Sequence, residues 1–253
     1  MSPLWKSELV IRLGREHATA QLRSAWRRRV TARASASGRL AEAVPALLQA
    51  LRDQGLTEPP KHVRLLVPDE HAYLALLPAD TAWRRARQRG LDHFAAALGR
   101  QDLEVQVIAL RGGRCWLAAA IETGELAAWR QRLGEAGLVL GHVGLALLDD
   151  LAAIAHRVAD DGVVAVLREE GVTLMRLAQG APVELAWERC DPHAQSCIEQ
   201  RLLAFQGAGE ARKADRLLML CQSQAQHDDW LRLAAAHRWT LLSPRNPTDT
   251  VPE

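Results

Sequence analysis

The chain has 253 residues, 48% of them hydrophobic and 25% charged, with a formal net charge of +2. This composition suits a folded chain able to bury a core, and a charge near balance imposes no global field that would demand a nucleic-acid or membrane partner. Cys115, Cys190, Cys197 and Cys221 lie far apart without a C-x-x-C pair, so they read as small buried hydrophobes in a reducing compartment rather than as a zinc site. Met1 to Leu13 lacks the regions of a secretory signal, and the apolar stretch Gly137 to Ala155 is broken by His142, Asp149 and Asp150, so a cytoplasmic, soluble chain is expected.

In chain order, Leu9 to Leu13 is apolar on both faces apart from Arg12, as in a central strand, and His17 to Leu22 alternates to form a hairpin with it. Trp26 to Ala34 continues the meander, with Trp26, Val30, Ala32 and Ala34 on one face and Arg27, Arg29, Thr31 and Arg33 on the other; Arg28 breaks the parity. Leu40, Val44, Leu47, Leu48 and Leu51 form a helical stripe ending near Gly55, with Pro45 implying a kink or a later start, and His62 to Val67 is a buried strand.

From Glu70 to Ala146 the pattern becomes strand, helix, hairpin, helix, strand, which reads as a small α+β insertion. Tyr73 to Leu77 is its first strand, Trp83, Leu91, Phe94 and Leu98 mark a helix, and Gly112-Gly113 turns a hairpin into Cys115 to Ile121. Thr123 is the expected N-cap of a helix carrying Leu126, Trp129 and Leu133 and closed by Gly137. After a connecting helix from Leu147 to Val158, Val163 to Leu167, Val172 to Leu177 and Val183 to Trp187 repeat the meander. A helix follows from Asp191-Pro192 through Ile198, Leu202 and Phe205, then a strand to Leu220, a helix over Asp228 to His237 and a strand from Trp239 to Leu242. The predicted division is 1–69 and 147–245 as two related halves, 70–146 as the insertion, and 246–253 as a disordered tail.

Two strand-strand-strand-helix-strand halves with an early α+β insertion resemble the actin-like ATPase fold, a duplicated RNase H-like α/β architecture. The run "LLVPDEHAYLALLPADTAWRRARQRGLDHF", Leu65 to Phe94, and the run "ELAAWRQRLGEAGLVLGHVGLALL", Glu125 to Leu148, are similar to the element order of the pilus protein PilM and the cytoplasmic part of the secretion protein GspL. The resemblance implies a nucleotide clamp between the halves, but its motif residues depart. Where the first phosphate loop carries Asp-x-Gly, this chain has Arg12, Leu13 and Gly14. Val163 to Arg168 lacks the second Asp-x-Gly, and Cys221-Gln222-Ser223-Gln224 stands where an adenine-contacting Gly-Gly turn belongs.

The resemblance therefore implies a non-catalytic scaffold of a type IV pilus or type II secretion inner-membrane platform, without cofactor or metal. Its partners would be a PilN- or GspM-like membrane protein and the assembly ATPase, with no nucleic acid, and it would be peripheral to the inner membrane through those partners. A divergent ATP-binding actin-like or sugar-kinase-like enzyme is the alternative. A nucleic-acid module using the arginine-rich strand, with salt-dependent binding, is a third.

Other constellations carry less. Asp69-Glu70-His71 reads as a solvated turn rather than a metal site, and no Walker A, G-x-S-x-G or H-E-x-x-H motif occurs. Trp83, Trp129 and Trp230 fall at helix-core positions. For partner binding the chain offers Trp26 with Arg27, Arg29 and Arg33, and the helix face Arg84, Arg85 and Arg89. Solvated faces are the competing reading of both.

Overall fold

The computed structural model describes residues 7–24, 30–56, 58–79, 82–110, 114–168, 171–190, 195–207, 217–221 and 227–242. Trp26, Arg27 and Arg29, the Gly112-Gly113 turn, the Asp191-Pro192 helix start, Gln222 to Gln224 and the tail from Ser243 lie outside the described residues. The chain divides into one unit of Met1–His71 with Glu122–Leu148 and a second of Ala72–Ile121 with Asp149–Glu253.

The first unit holds a five-stranded sheet built from β1 (Glu8–Leu13), β2 (His17–Arg23), β3 (Val30–Ser37), β4 (His62–Val67) and β8 (Val139–Leu145), in the order β3-β2-β1-β4-β8. β1 is central, antiparallel to β2 and parallel to β4, which explains why Leu9, Val10, Ile11 and Leu13 are all buried. β2 buries Ala18, Ala20 and Leu22 by strict alternation. Its register with β3 slips between Leu22 and Arg23, so that Arg23 faces Val30 and Thr31 is the extra residue; the Thr31 hydroxyl donates to the Leu22 carbonyl at 3.2 Å.

Helix α1 (Leu40–Asp53) buries Leu40, Ala43, Val44, Leu47, Leu48 and Leu51 and runs through Pro45, which lies on its exposed side, rather than starting after it. A short 3-10 turn, Asp69–His71, follows β4. Helix α3 (Thr123–Glu135) buries Leu126, Trp129 and Leu133 and also touches α1, so both helices cover one face of this sheet. Its N-cap is Glu122, without a side-chain cap bond, and not Thr123, which is the first helical residue. Strand β8 pairs in parallel with β4. The segment 70–146, which hydrophobic patterning groups as one insertion, is thus split: α3 and β8 complete the first sheet, and only residues 72–121 build a sheet of their own.

That smaller sheet comprises β5 (Tyr73–Pro78), β6 (Leu103–Leu110) and β7 (Cys115–Glu122) in the order β5-β7-β6, covered by α2 (Trp83–Leu98). The buried stripe of α2 is Ala86, Gly90 and Phe94. Gly90 permits the close approach, since a Cβ there would stand 3.1 Å from Val105 Cγ1 and 3.4 Å from Ala118 Cβ. Trp83 is not a core residue: it stands at the first helical position of α2 and is 54% exposed.

After α4 (Ala146–Ile154) the meander recurs as β9 (Gly162–Leu167), β10 (Gly171–Ala178) and β11 (Ala181–Arg189), followed by α5 (Gln195–Gly207), β12 (Leu217–Cys221), α6 (His227–His237) and β13 (Thr240–Leu242). The sheet order β11-β10-β9-β12-β13 repeats that of the first unit. Val163, Ala165, Val172, Leu174, Ile198, Leu202, Met219 and Trp230 form its core. Trp129 and Trp230 are buried, as their helical positions predict.

Candidate functional site

In the clamp that the resemblance implies, phosphate would be held at the two meander hairpins, and the described residues Gly14 and Arg168 there are both engaged internally. At the first, the backbone amide of Gly14 donates to the His17 carbonyl at 2.8 Å, closing the β1–β2 turn on itself. The His17 imidazole then covers the glycine: a Cβ at Gly14 would lie 2.7 Å from its Cε1 atom. The glycine survives, but its amide and its open face are both occupied. Gly38 donates its amide to the Glu16 carbonyl at 2.7 Å, tying the start of α1 to the same turn. Arg12, at the position where an acid would hold Mg²⁺ through water, is half-buried and donates from an Nη atom to the Ala146 carbonyl at 3.4 Å. A guanidinium there supplies positive charge in place of a metal ligand.

At the second hairpin, Arg168 follows β9. Its amide donates to the Gly171 carbonyl at 2.9 Å, and its guanidinium binds Asp150 of α4 at 2.6 Å. The two side chains are only 7% and 5% exposed. Such a pair is costly to break from one side, because the remaining charge is left desolvated. The end of β9 at this hairpin is therefore held by a buried ion pair.

The residues predicted to bind a partner are placed as follows. Arg33 is exposed on the outer strand β3, and its backbone is closed off by Gln54: the Arg33 amide donates to Gln54 Oε1 at 3.4 Å and the Gln54 side-chain amide donates to the Arg33 carbonyl at 2.7 Å. Arg84, Arg85 and Arg89 are all exposed on the first turns of α2 beside Trp83, and no acid lies in the first helical turn. Arg87, between them, is instead pinned to β6 through the Val105 carbonyl at 3.0 Å and Glu104 at 3.4 Å. Arg33 and the α2 arginines belong to different units.

Three features departed from, or escaped, the sequence reading. Asp69-Glu70-His71 is an anchor and not a solvated turn: Asp69 is 1% exposed, His71 Nδ1 meets Glu125 Oε1 at 2.5 Å, and the His71 ring stands edge-on to Trp129 at 5.8 Å. Among the described residues, no group of three or more His, Cys, Asp or Glu side chains could hold a metal ion. The cysteines are not uniformly buried, since Cys197 is exposed, while burial pushes the thiols of Cys115 and Cys190 up.

The third feature is a pocket of about 660 Å³ at the starting ends of β1, β4 and β8, walled by Glu8, Pro59, Lys61, His62, Arg64 and His142. Its only trace in the sequence is the alternation of His62 and Arg64 on β4, because the strands that complete it lie more than 50 residues apart in the chain.

No family model matches the chain, and no curated protein matches it in sequence. Solved structures do share its fold. A Bacteroides thetaiotaomicron protein described as having an actin-like ATPase fold and unknown function superposes with a TM-score of 0.62 at 12% identity, covering 99% of this chain and 96% of its own. The type IV pilus biogenesis complex PilM-PilN contains a chain that superposes with a TM-score of 0.71 at 14% identity, covering 95% and 88%. The cytoplasmic domain of EpsL, an inner-membrane component of the Vibrio cholerae type II secretion system, gives 0.55 at 15% identity, covering 85% and 82%. Among the described residues no helix is long and apolar enough to cross a membrane. The repeated five-stranded sheets, the insertion after β4 and these superpositions together establish that the chain has the actin-like ATPase fold.

Proposed function

We propose that this chain is a non-catalytic scaffold of a type IV pilus or type II secretion inner-membrane platform. It holds the cytoplasmic segment of a PilN- or GspM-like membrane protein, docks the assembly ATPase, and stays on the cytoplasmic side through these partners. The observation that supports this reading is the internal engagement of one residue at each meander hairpin: the Gly14 amide by the His17 carbonyl and Arg168 by Asp150. Similarity in fold to PilM and EpsL supports the platform role. Calorimetric titration with millimolar Mg-ATP should give no binding heat, while the tagged chain should recover a pilus or secretion component from detergent-solubilised membranes. Tight Mg-ATP binding, or recovery of no such component by folded protein, refutes the scaffold. The retained Gly14 favours the second reading, a divergent ATP-binding enzyme, which the same titration decides.

A further inference from the structure

The pocket beside β8 lies at the opposite end of β1 from the Gly14 turn, and the chain leaves for residues 72–121 from the opposite end of β4. Its register is informative. Arg64 pairs with Val10 on one side and His142 on the other, so Arg64, His142 and, by parity, His62 and Glu8 project from one face of the sheet, the face away from α1 and α3. Lys61 and Arg64 form no ion pair or side-chain hydrogen bond among the described residues, and Arg64 Nε is buried without a partner. Buried donors without an acceptor are uncommon and ask for one.

Beside this pocket runs an unguarded sheet edge. β8 reads Val-Leu-Gly-His-Val-Gly-Leu, with no Lys, Arg, Asp, Glu or Pro, and Val139 is 51% exposed. Among the described residues no strand pairs with its outer side. The other outer strands of the two five-stranded sheets are protected: β3 by Arg33 and the Gln54 clamp, β11 by Pro182, Glu184 and Glu188, and β13 by being three residues long. One bulge interrupts β8, where Gly141 is the extra residue between the pairs Val63–Leu140 and Arg64–His142, and it opens onto the pocket. A Cβ at Gly141 would find only ordinary contacts, the nearest 3.5 Å from the His62 Cβ, so the fold does not require glycine there.

We propose that β8 accepts an extended acidic segment of a protein partner as an added strand, with one carboxylate of that segment bound in the pocket by Lys61 and Arg64. The inference rests on the scaffold reading for the partner being a protein, and assigns its docking edge. Charge placement selects a peptide over a free polyanion. Arg64 on β4, Lys61 just before that strand and His142 on β8 stand next to the open edge, whereas Glu8 stands on β1, one strand beyond β4 and about 10 Å from β8 across the sheet, and with Glu58 repels further negative charge. A single carboxylate on a strand that also uses the free β8 backbone satisfies this arrangement, with backbone bonds giving affinity and the pocket giving specificity.

The test is a random-peptide phage library selected on the full chain, with the enriched peptide synthesised for fluorescence anisotropy. Enriched peptides should carry Asp or Glu within a β-prone run. Changing that acid to its amide, or Arg64→Gln in the protein, should each weaken binding roughly 10- to 100-fold, the second change adding little to the first. Amides 140–144 should gain exchange protection in the complex. No enrichment, enrichment of peptides without an acid, indifference to Arg64→Gln in a variant that melts like the parent, or binding without protection of β8 overturns the proposal. Recovery of a platform component by Arg64→Gln as efficient as by the parent overturns the docking edge while leaving the scaffold intact. Failure of the parent to recover any component refutes the scaffold and is read separately from the peptide result.

Discussion

Removing the carboxylate of Asp150 leaves the Arg168 guanidinium, 7% exposed and 2.6 Å from its former partner, as a desolvated charge. Breaking a buried pair from one side costs about 3–5 kcal/mol, against a total stability of roughly 5–15 kcal/mol for a folded domain. For a chain of this size each kcal/mol moves the midpoint by about 2–4 °C, so Asp150→Ala should lower Tm by roughly 6–20 °C. The paired replacement Asp150→Leu with Arg168→Met removes both charges and keeps apolar volume, and should recover most of that loss. Calorimetry and circular dichroism on the four members of the cycle measure the coupling directly. A shift below 2 °C for Asp150→Ala, or a double variant as unstable as the sum of the single changes, would refute the claim that an internal ion pair locks this hairpin.

The first turn of α2 gives a contrast between stability and binding. Arg84→Glu with Arg85→Glu places acids at a helix N-terminus that now carries none, and should leave stability unchanged or raise it by about 0.3–1 kcal/mol per site. If this face binds an acidic partner, the same change should cut membrane-component recovery, measured with quantitative blotting; unchanged recovery removes the face from the interface. Gly171→Ala should destabilise by about 1–3 kcal/mol in urea titration, because the added Cβ would stand 2.3 Å from the Glu188 carbonyl oxygen on β11. Iodoacetamide at neutral pH should label Cys197 well before Cys115 and Cys190, whose raised thiol pKa values lower the thiolate fraction, and peptide mass spectrometry reads the order. Equal rates at all three sites would contradict the burial.

Much of the fold was legible in local patterning. Leu9 to Leu13 reads as a central strand because both faces are apolar, and Leu40, Leu47 and Leu51 recur at helical spacing; each signal needs only neighbours within two turns. The departures of Arg12 and of Val163 to Arg168 from the phosphate-loop motifs that the resemblance implies can likewise be read residue by residue. Other features need distant partners. Asp69 looks like a polar turn residue until His71 finds Glu125, 54 positions later, and Trp129 packs beside it. Trp83 continues an apolar stripe, yet it stands at the first helical position and is exposed, and the buried stripe begins at Ala86.

Alternation and helical stripes in the chain dictate which residues face inward, because side-chain direction follows backbone period within a single element. They also show that two halves share one plan, which the repeated sheet order bears out. Which sheet receives β8, and that its open edge borders a pocket lined by Lys61 and Arg64, follows only from long-range strand pairing: β8 joins β4 across 71 intervening residues, and the parallel register then brings His142 level with Arg64. Strand pairing is set by the burial of whole faces and not by local period, so the site exists only in the assembled sheet.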